Sequence, residues 1–471
     1  MKAVDKSKLR RQRKKGKLEL SEKRKENEID ALYFDGRKDD TKVNIKKTGT
    51  YYSRTIKEEH ITLITEPESK YLGHFVPQTG SAANIASGII EFLEKEDLKT
   101  DNLIAIGCDG TNTNVGRNNG VIKLLETHFK KAFHWFVCLL HANELPLRHL
   151  LHHLDGRTKG PNHLTGPIGS RLLKCETMPV VEFRAIKVSN LPANSDELDL
   201  SKDQRYLLEI CHAVSKGSCP PNLEHRNPGP LNHSRWLTTA NRILRLYIAC
   251  QQPTEQLITL VTFIMRVYAP TWFKIKCNPS YMSGPKNLWF MISASRYLPD
   301  ELKSIIDPVI QRNAYFAHQE NILVAMLSDS RTEIRELAYN RIMLTRSKEK
   351  KMEPTPREFV IPKLNFHAKE YTDLIDFQYS QRYEPPLTKK LTVNELKAVV
   401  QGKESSAGKE SSTVSKRYPC HAQAVETHVK LVTESSVCVC GQKERDEFIK
   451  TRIVAREIMP KLETKSDYTC E

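Results

Sequence analysis

The hydrophobic period of this chain changes once, and that change constrains the fold more than any other feature. Between residues 31 and 137 short apolar runs of strand length alternate with segments of helical spacing; from about 155 to 350 only the helical period remains. "DALYFDG" (30–36) reads as a first strand ending at Asp35, "TYYSRTI" and "EHITLITE" as two short strands, and "KYLGHFVP" as another. "GSAANIASGIIEFLEKE" (80–96) sets Ile85, Ile89, Ile90 and Leu93 on one helical stripe. A buried strand at 103–106, a helix around "GVIKLLETHFKKA" (120–132) and the strand "FHWFVCLL" (133–140) complete the block. Neighbouring strands followed by helix, strand, helix and strand predict an α/β fold with a mixed sheet.

Beyond residue 155 "DQRYLLEICHAVSKG", "RWLTTANRILRLYIACQQ", "TEQLITLVTFIMRVY" and "TEIRELAYNRIMLTRSKEK" all carry the 3.6 period. Proline-containing loops such as "CPPNLEHRNPGP" separate them. "GKESSAGKESST" (402–413) has linker composition, and "CHAQAVETHVKLVTESS" is one further helix-length segment. The expected organisation is a basic, disordered arm over 1–29, an α/β block over 30–154, a mainly α-helical block over 155–400, a polar linker over 401–415 and C-terminal helices over 416–471.

Charge narrows the partners. Lys and Arg total 73 against 57 acids, a net charge of +16, which favours a polyanion, with nucleic acid the commonest for an intracellular chain. Residues 6–17, "KSKLRRQRKKGK", hold eight cations and no acid, a pattern that suits a nuclear address, a backbone-binding arm or a solvated tail. Eleven cysteines at irregular spacing do not form a secreted disulfide framework, and the charge-rich N-terminal stretch does not resemble a signal peptide. The longest apolar run, "LITLVTFIM" (257–265), is cut by Arg266 and is too short to cross a bilayer. A reducing compartment and no membrane partner are expected.

Two aspartates stand where predicted strands end, and each precedes a glycine: Asp35 and, in "IAIGCDGTNTNVG", Asp109. Carboxylates on neighbouring strand ends can hold a hard divalent cation, which takes oxygen ligands and keeps several waters. Each taken alone also reads as a turn or helix-cap residue, and both readings stay open here.

"GCDGTNTNVG", then "FVCLLHANELPLRHL", then "HSRWLTT" resemble, in that order, the transposases of the hAT superfamily. The shared order is a strand-end aspartate in a CDG-like context (Asp109), a CxxH motif (Cys138 and His141) and an Arg-Trp dipeptide opening a helical insertion (Arg235 and Trp236). The chain is also similar to a group of animal hAT-like proteins with "FDGRKDD" and "CHAQAVE" segments, and the resemblance covers roughly residues 30 to 460. It implies an RNase H-like mixed sheet interrupted by a large all-α insertion, with the C-terminal helices completing the core. It implies a DDE triad of Asp35, Asp109 and Glu426, the last in "YPCHAQAVETH" with Glu434 as the alternative. Here Thr427 follows Glu426 where the family commonly has arginine, and "DGRKDD", with Asp39 and Asp40 nearby, replaces the family's DxW.

The implied cofactor is a pair of Mg²⁺ or Mn²⁺ ions about 3.5–4 Å apart, held by those acids for phosphoryl transfer. The implied partner is DNA, as transposon ends or non-specifically, in the nucleus, and a homo-oligomer is compatible with it. Cys138 and His141 would shape the active-site strand and the following helix; half a structural zinc site, completed by Cys108, Cys420, His421, Cys438 or Cys440, is the alternative. Arg235 and Trp236 would lie by the DNA, with Trp236 in a helix core as the plain alternative. The histidines of "RHLLHHL" (148–154) pave a helix face. No cysteine precedes Cys108, so the BED-type zinc finger usual in the family is not expected in this sequence; either Lys8, Arg10, Arg11, Arg13, Lys14 and Lys15 would supply backbone affinity, or the sequence is a fragment or a host-adopted derivative. The expectation is a transposon-derived hAT-like transposase that cleaves and transfers DNA strands, or, alternatively, an inactive domesticated DNA-binding or interaction factor with the same fold.

Overall fold

The computed structural model describes residues 29–116, 119–156, 164–188, 191–193, 200–231, 236–313, 319–348, 391–402 and 418–457. They form two compact units: the first runs to Cys108, takes in 119–129 and resumes at Ala422, and the second holds 109–118 and 130–421.

β1 (Ala31–Lys47) and β2 (Thr50–Glu66) form one long antiparallel hairpin, paired from Ala31↔Glu66 to Lys47↔Thr50. The first strand therefore does not stop at Asp35, and the two strands expected at 50–56 and 59–66 are one. The loop explains why. Thr48 and Gly49 both have positive φ (47° and 85°), the primed turn whose twist matches the flanking strands, so pairing continues from the turn through the charged middle of β1. β3 (Lys70–Phe75) pairs antiparallel with β2 from Ile61↔Phe75 to Thr65↔Lys70, with a register shift at Leu63/Ile64. β4 (Ala105–Cys108) pairs parallel with β1 over Ala31–Tyr33 only. With β5 (His134–Val137) these strands make one mixed sheet in the order β3-β2-β1-β4-β5.

Helices follow strands as the period predicts. α1 (Ala82–Lys95) is N-capped by Ser81, whose hydroxyl accepts from the Asn84 amide at 3.3 Å, and it buries Ile85, Ile89 and Leu93. α2 (Val121–Phe129) packs on α1. The second unit is helical: α3 (Leu139–Asp155), α4 (Lys202–Lys216), α5 (Trp236–Ile248), α6 (Glu255–Phe263), α7 (Ala269–Cys277), α8 (Gly284–Ser295), α9 (Asp300–Asn313), α10 (Gln319–Met326), α11 (Thr332–Lys348) and α12 (Val393–Val400). α3 is its hub, packed on α5, α6, α7 and α9. A π-helical turn, Ile264–Tyr268, joins α6 to α7, and the buried Asn143 amide of α3 donates to the Tyr268 carbonyl at 2.9 Å, serving a backbone group displaced by the wider turn. α5 is buried nearly all round. Its Arg242 pairs with Glu176 at 2.7 Å and donates to the Leu172 carbonyl, and its Arg245 donates to the Met178 carbonyl, so both buried cations have partners. Among the described residues no helix is long and apolar enough to cross a membrane.

α13 (Gln423–Cys438) and α14 (Gln442–Glu457) belong to the first unit, where α13 packs on β1 and β2 and α14 packs on α13. The two sheet faces can be told apart by strand alternation. Gly73, paired with Leu63, faces α1: a Cβ there would lie 2.6 Å from the Phe92 ring, and in return Phe75 fills the space over Gly88 of α1. His60, paired with Arg37, faces α13, its Nε2 3.3 Å from Ser436 Oγ. The first unit thus has helices on both sheet faces, α1 and α2 on one, α13 and α14 on the other.

Candidate functional site

Asp35 lies within β1, half-buried and paired with Thr62. Two positions before Arg37 and six before Thr41, it shares the side of β1 that carries the Thr41–His60 contact, which is the face under α13. Its Oδ1 accepts from the Gly36 amide at 2.8 Å. Asp109 begins the second unit. The ladder of β1 with β4 ends at Tyr33↔Gly107, and each aspartate follows its own strand's last paired residue by two positions. Asp109 Oδ1 accepts three hydrogen bonds, from the Thr111 amide (3.1 Å), the Thr111 hydroxyl (2.8 Å) and the Asn114 side chain (2.7 Å). That makes Asp109 the organiser of the turn over Asn112–Val115, where Thr111 itself makes no side-chain cap.

Glu426 sits in the first turn of α13, exposed. Two residues on, His428 stacks on Tyr71 of β3 (centroids 5.8 Å apart, planes at 10°); Tyr71 pairs with Ile64, and Ile64 with Tyr33. The helix therefore starts over the sheet at the level of Tyr33, near the Asp35 end, and its last turn carries Ser436 over His60. The alternative acid, Glu434, reaches Arg452 of α14 at 3.7 Å. Three carboxylates match a hard cation in kind. Among the described residues no group of three or more His, Cys, Asp or Glu side chains is placed to hold a metal ion.

The CxxH pair belongs to a backbone junction of the second unit. Cys138, buried, is the residue before α3, and the Leu139 amide after it donates to the Cys420 carbonyl at 2.9 Å; His141, half-buried, follows in the first turn. The segment 418–420 is held in turn by the Tyr281 amide on the Tyr418 carbonyl (2.8 Å) and by the Cys420 amide on the Pro279 carbonyl (2.6 Å). Phe136 of β5 packs on Tyr281 and Tyr418, ring centroids 4.1 and 5.4 Å away. Burial pushes the Cys420 thiol up to about 12; His421 falls to about 4, by burial first and then by the Lys276 charge. Trp236, at 6% exposure, meets His152 of α3 edge-on at 6.0 Å, so its ring is packed inside the helical unit. Of the histidines of 148–154, His153 reaches Glu301 at 3.4 Å. Arg235 and the arm residues Lys8, Arg10, Arg11, Arg13, Lys14 and Lys15 lie outside the described residues.

Sequence reasoning passed over a buried polar cluster between β2, β3 and the last two helices. His60 Nε2 lies 2.7 Å from Thr41 Oγ1; His74 lies 2.9 Å from the Tyr71 hydroxyl and 3.2 Å from Asp446; Gln442 donates to the His74 carbonyl at 3.1 Å. Arg445 is buried with them, its Nη1 3.5 Å from His74 Nε2. Burial, then the charges of Arg445 and His74, hold His60 down at about 4, so it is neutral. Its only signal in the sequence was a histidine at an inward position of "EEHITLITE". Beside this cluster a groove of about 1560 Å³ follows edge strand β3 between α1 and the pair α13 and α14; none of the three acids lines it. No protein-family model matches the chain, and no curated protein matches it.

Proposed function

We propose that this chain is a transposon-derived, hAT-like DNA-processing protein with an RNase H-like core and a large helical insertion. Asp35, Asp109 and Glu426 are its candidate metal-binding acids, and Arg235 and the basic arm are additional DNA contacts. One observation carries the reading. In the order β3-β2-β1-β4-β5, β2 runs against β1 and β4 runs with it, the first two acids follow the last couple of the central parallel ladder, and the third opens a helix on the same sheet face as Asp35. The helical block between β5 and α13 supports it further. Bound Mg²⁺ or Mn²⁺ would supply an activated attacking oxygen and stabilise the leaving oxygen. The chain's own contribution is to hold carboxylates at the end of a rigid ladder.

The second reading, a DNA-binding factor of the same fold without catalysis, is favoured by the exposure of Glu426 and the turn-capping hydrogen bonds of Asp109. Asp109→Asn separates the two. The amide oxygen can accept the same three hydrogen bonds, so melting temperature should hold while the charge is lost. Divalent-metal-dependent nicking of duplex DNA should then fall by about 10³-fold or more on the catalytic reading. A wild-type chain that cuts no DNA with Mg²⁺ or Mn²⁺, or an Asp109→Asn chain that cuts as well as wild type, ends that reading.

A further inference from the structure

Beyond residue 41 no other strand among the described residues pairs with the hairpin: β3 pairs with β2 only over Ile61–Thr65 and β4 with β1 only over Ala31–Tyr33, yet β1 and β2 stay paired out to Lys47↔Thr50. The free part is a two-stranded ribbon extending about 20 Å at roughly 3.3–3.4 Å per residue. Its residues are exposed from Lys42 to Lys57 except for the half-buried Val43. Between Asp40 and Glu58 there is no carboxylate, while Lys42, Lys46, Lys47, Arg54 and Lys57 stand within it. Lys57 faces Asp40 across the strands, which offsets part of its charge; the other four have no acid opposite them in the register.

Alternation splits the ribbon into two faces. On one lie Lys42, Asn44 and Lys46 with Thr55, Ser53 and Tyr51, every one a hydrogen-bond donor, the Lys46 ammonium 5.7 Å from the Tyr51 ring centre. On the other lie Ile45, Tyr52 and Ile56, 42%, 51% and 39% exposed, with Arg54 and, at the tip, Lys47. A two-stranded ribbon has the width that the major groove of B-DNA admits, and lysines along it meet the phosphate rows on either side. Hydroxyls and tyrosines among lysines, with no acid, match phosphate and sugar oxygens and repel nothing on a polyanion. We propose that the 42–57 ribbon is a DNA-binding arm that contacts the backbone of duplex DNA. This goes beyond the assignment of the acids, since it holds whether or not Asp109 supports cleavage.

The test is fluorescence anisotropy of the full chain with a labelled 30-base-pair duplex, titrated across salt, comparing wild type with Lys42→Gln/Lys46→Gln/Lys47→Gln. Three lost phosphate contacts should weaken binding on the order of 10²-fold at 0.1 M salt and lower the slope of log K against log salt by about 2–3. The triple Arg variant at the same positions should restore both, and far-ultraviolet circular dichroism and melting should stay as in wild type. Binding is read in EDTA, without divalent metal, which separates failure of the arm from failure of the catalytic reading. The proposal is overturned if wild type binds no duplex, or if the Gln variant keeps wild-type affinity and slope. It is equally overturned if the variant's only change is loss of a dimer in sedimentation, which would assign the ribbon's apolar face to a second copy of the chain.

Discussion

At the scale of single residues, the ionisable groups that matter most are histidines, one buried and two half-buried. His60, His134 and His421 are each held down at about 4, His60 and His421 with help from nearby cations and all three chiefly by burial. A base whose folded pKa lies below its unfolded value near 6.5 binds fewer protons folded than unfolded between those values. Stability from these groups is therefore complete above pH 6.5 and is lost as pH falls toward 4. Urea melts at pH 7, 5.5 and 4.5 should show this fall, and His60→Gln should flatten its slope; an unchanged slope would mean His60 takes up protons equally in both states. Asp109 carries a different lesson at this scale. The choice among turn, cap and ligand was open in "CDGTNTNVG", and the three hydrogen bonds on Oδ1 give it a capping role that a metal role need not displace, because its second oxygen is a separate ligand atom.

At the scale of elements, period and composition made most strands and helices readable, and the misses have local causes. The stripe Ile85, Ile89 and Leu93 of α1 is buried as its spacing predicts. The 31–66 hairpin was read as three pieces because charges interrupt its apolar alternation in the middle, although "KKTGT" carries a turn signal that would have joined them. The packing of α1 on β3 was not readable at all, since it depends on two small residues in different elements meeting two phenylalanines. Gly88→Ala should cost about 1–3 kcal/mol, because the new methyl meets the Phe75 ring. Pairing Gly88→Ala with Phe75→Leu should recover part of that loss in thermal melts; equal losses in the single and double variants would refute the interlock. At Gly49 space is open but φ is +85°, so Gly49→Ala should strain the turn and lower stability without any clash.

At the scale of the whole molecule, the first unit is closed by chain that leaves it after Phe129 and returns at Ala422. Val425, Val429, Leu431 and Val432 of α13 are all buried. At roughly 1.5–3 kcal/mol for each buried apolar side chain, they contribute about 6–12 kcal/mol, comparable to the whole stability of a typical domain. A chain ending at His421 should accordingly lose cooperative unfolding of the first unit and bind a hydrophobic dye. A sharp, wild-type melt from that truncated chain would show that β1 to β4 with α1 and α2 stand alone.

Sequence alone determined the α/β-then-helical order and the basic charge, because period and composition are local properties. Tertiary structure alone decided that Asp35 lies inside a strand, that α13 begins at the level of Tyr33 and that His60 is neutral. It also decided that a basic ribbon projects beyond the sheet. Those facts depend on register and burial, which arise only when segments far apart in the chain pack together.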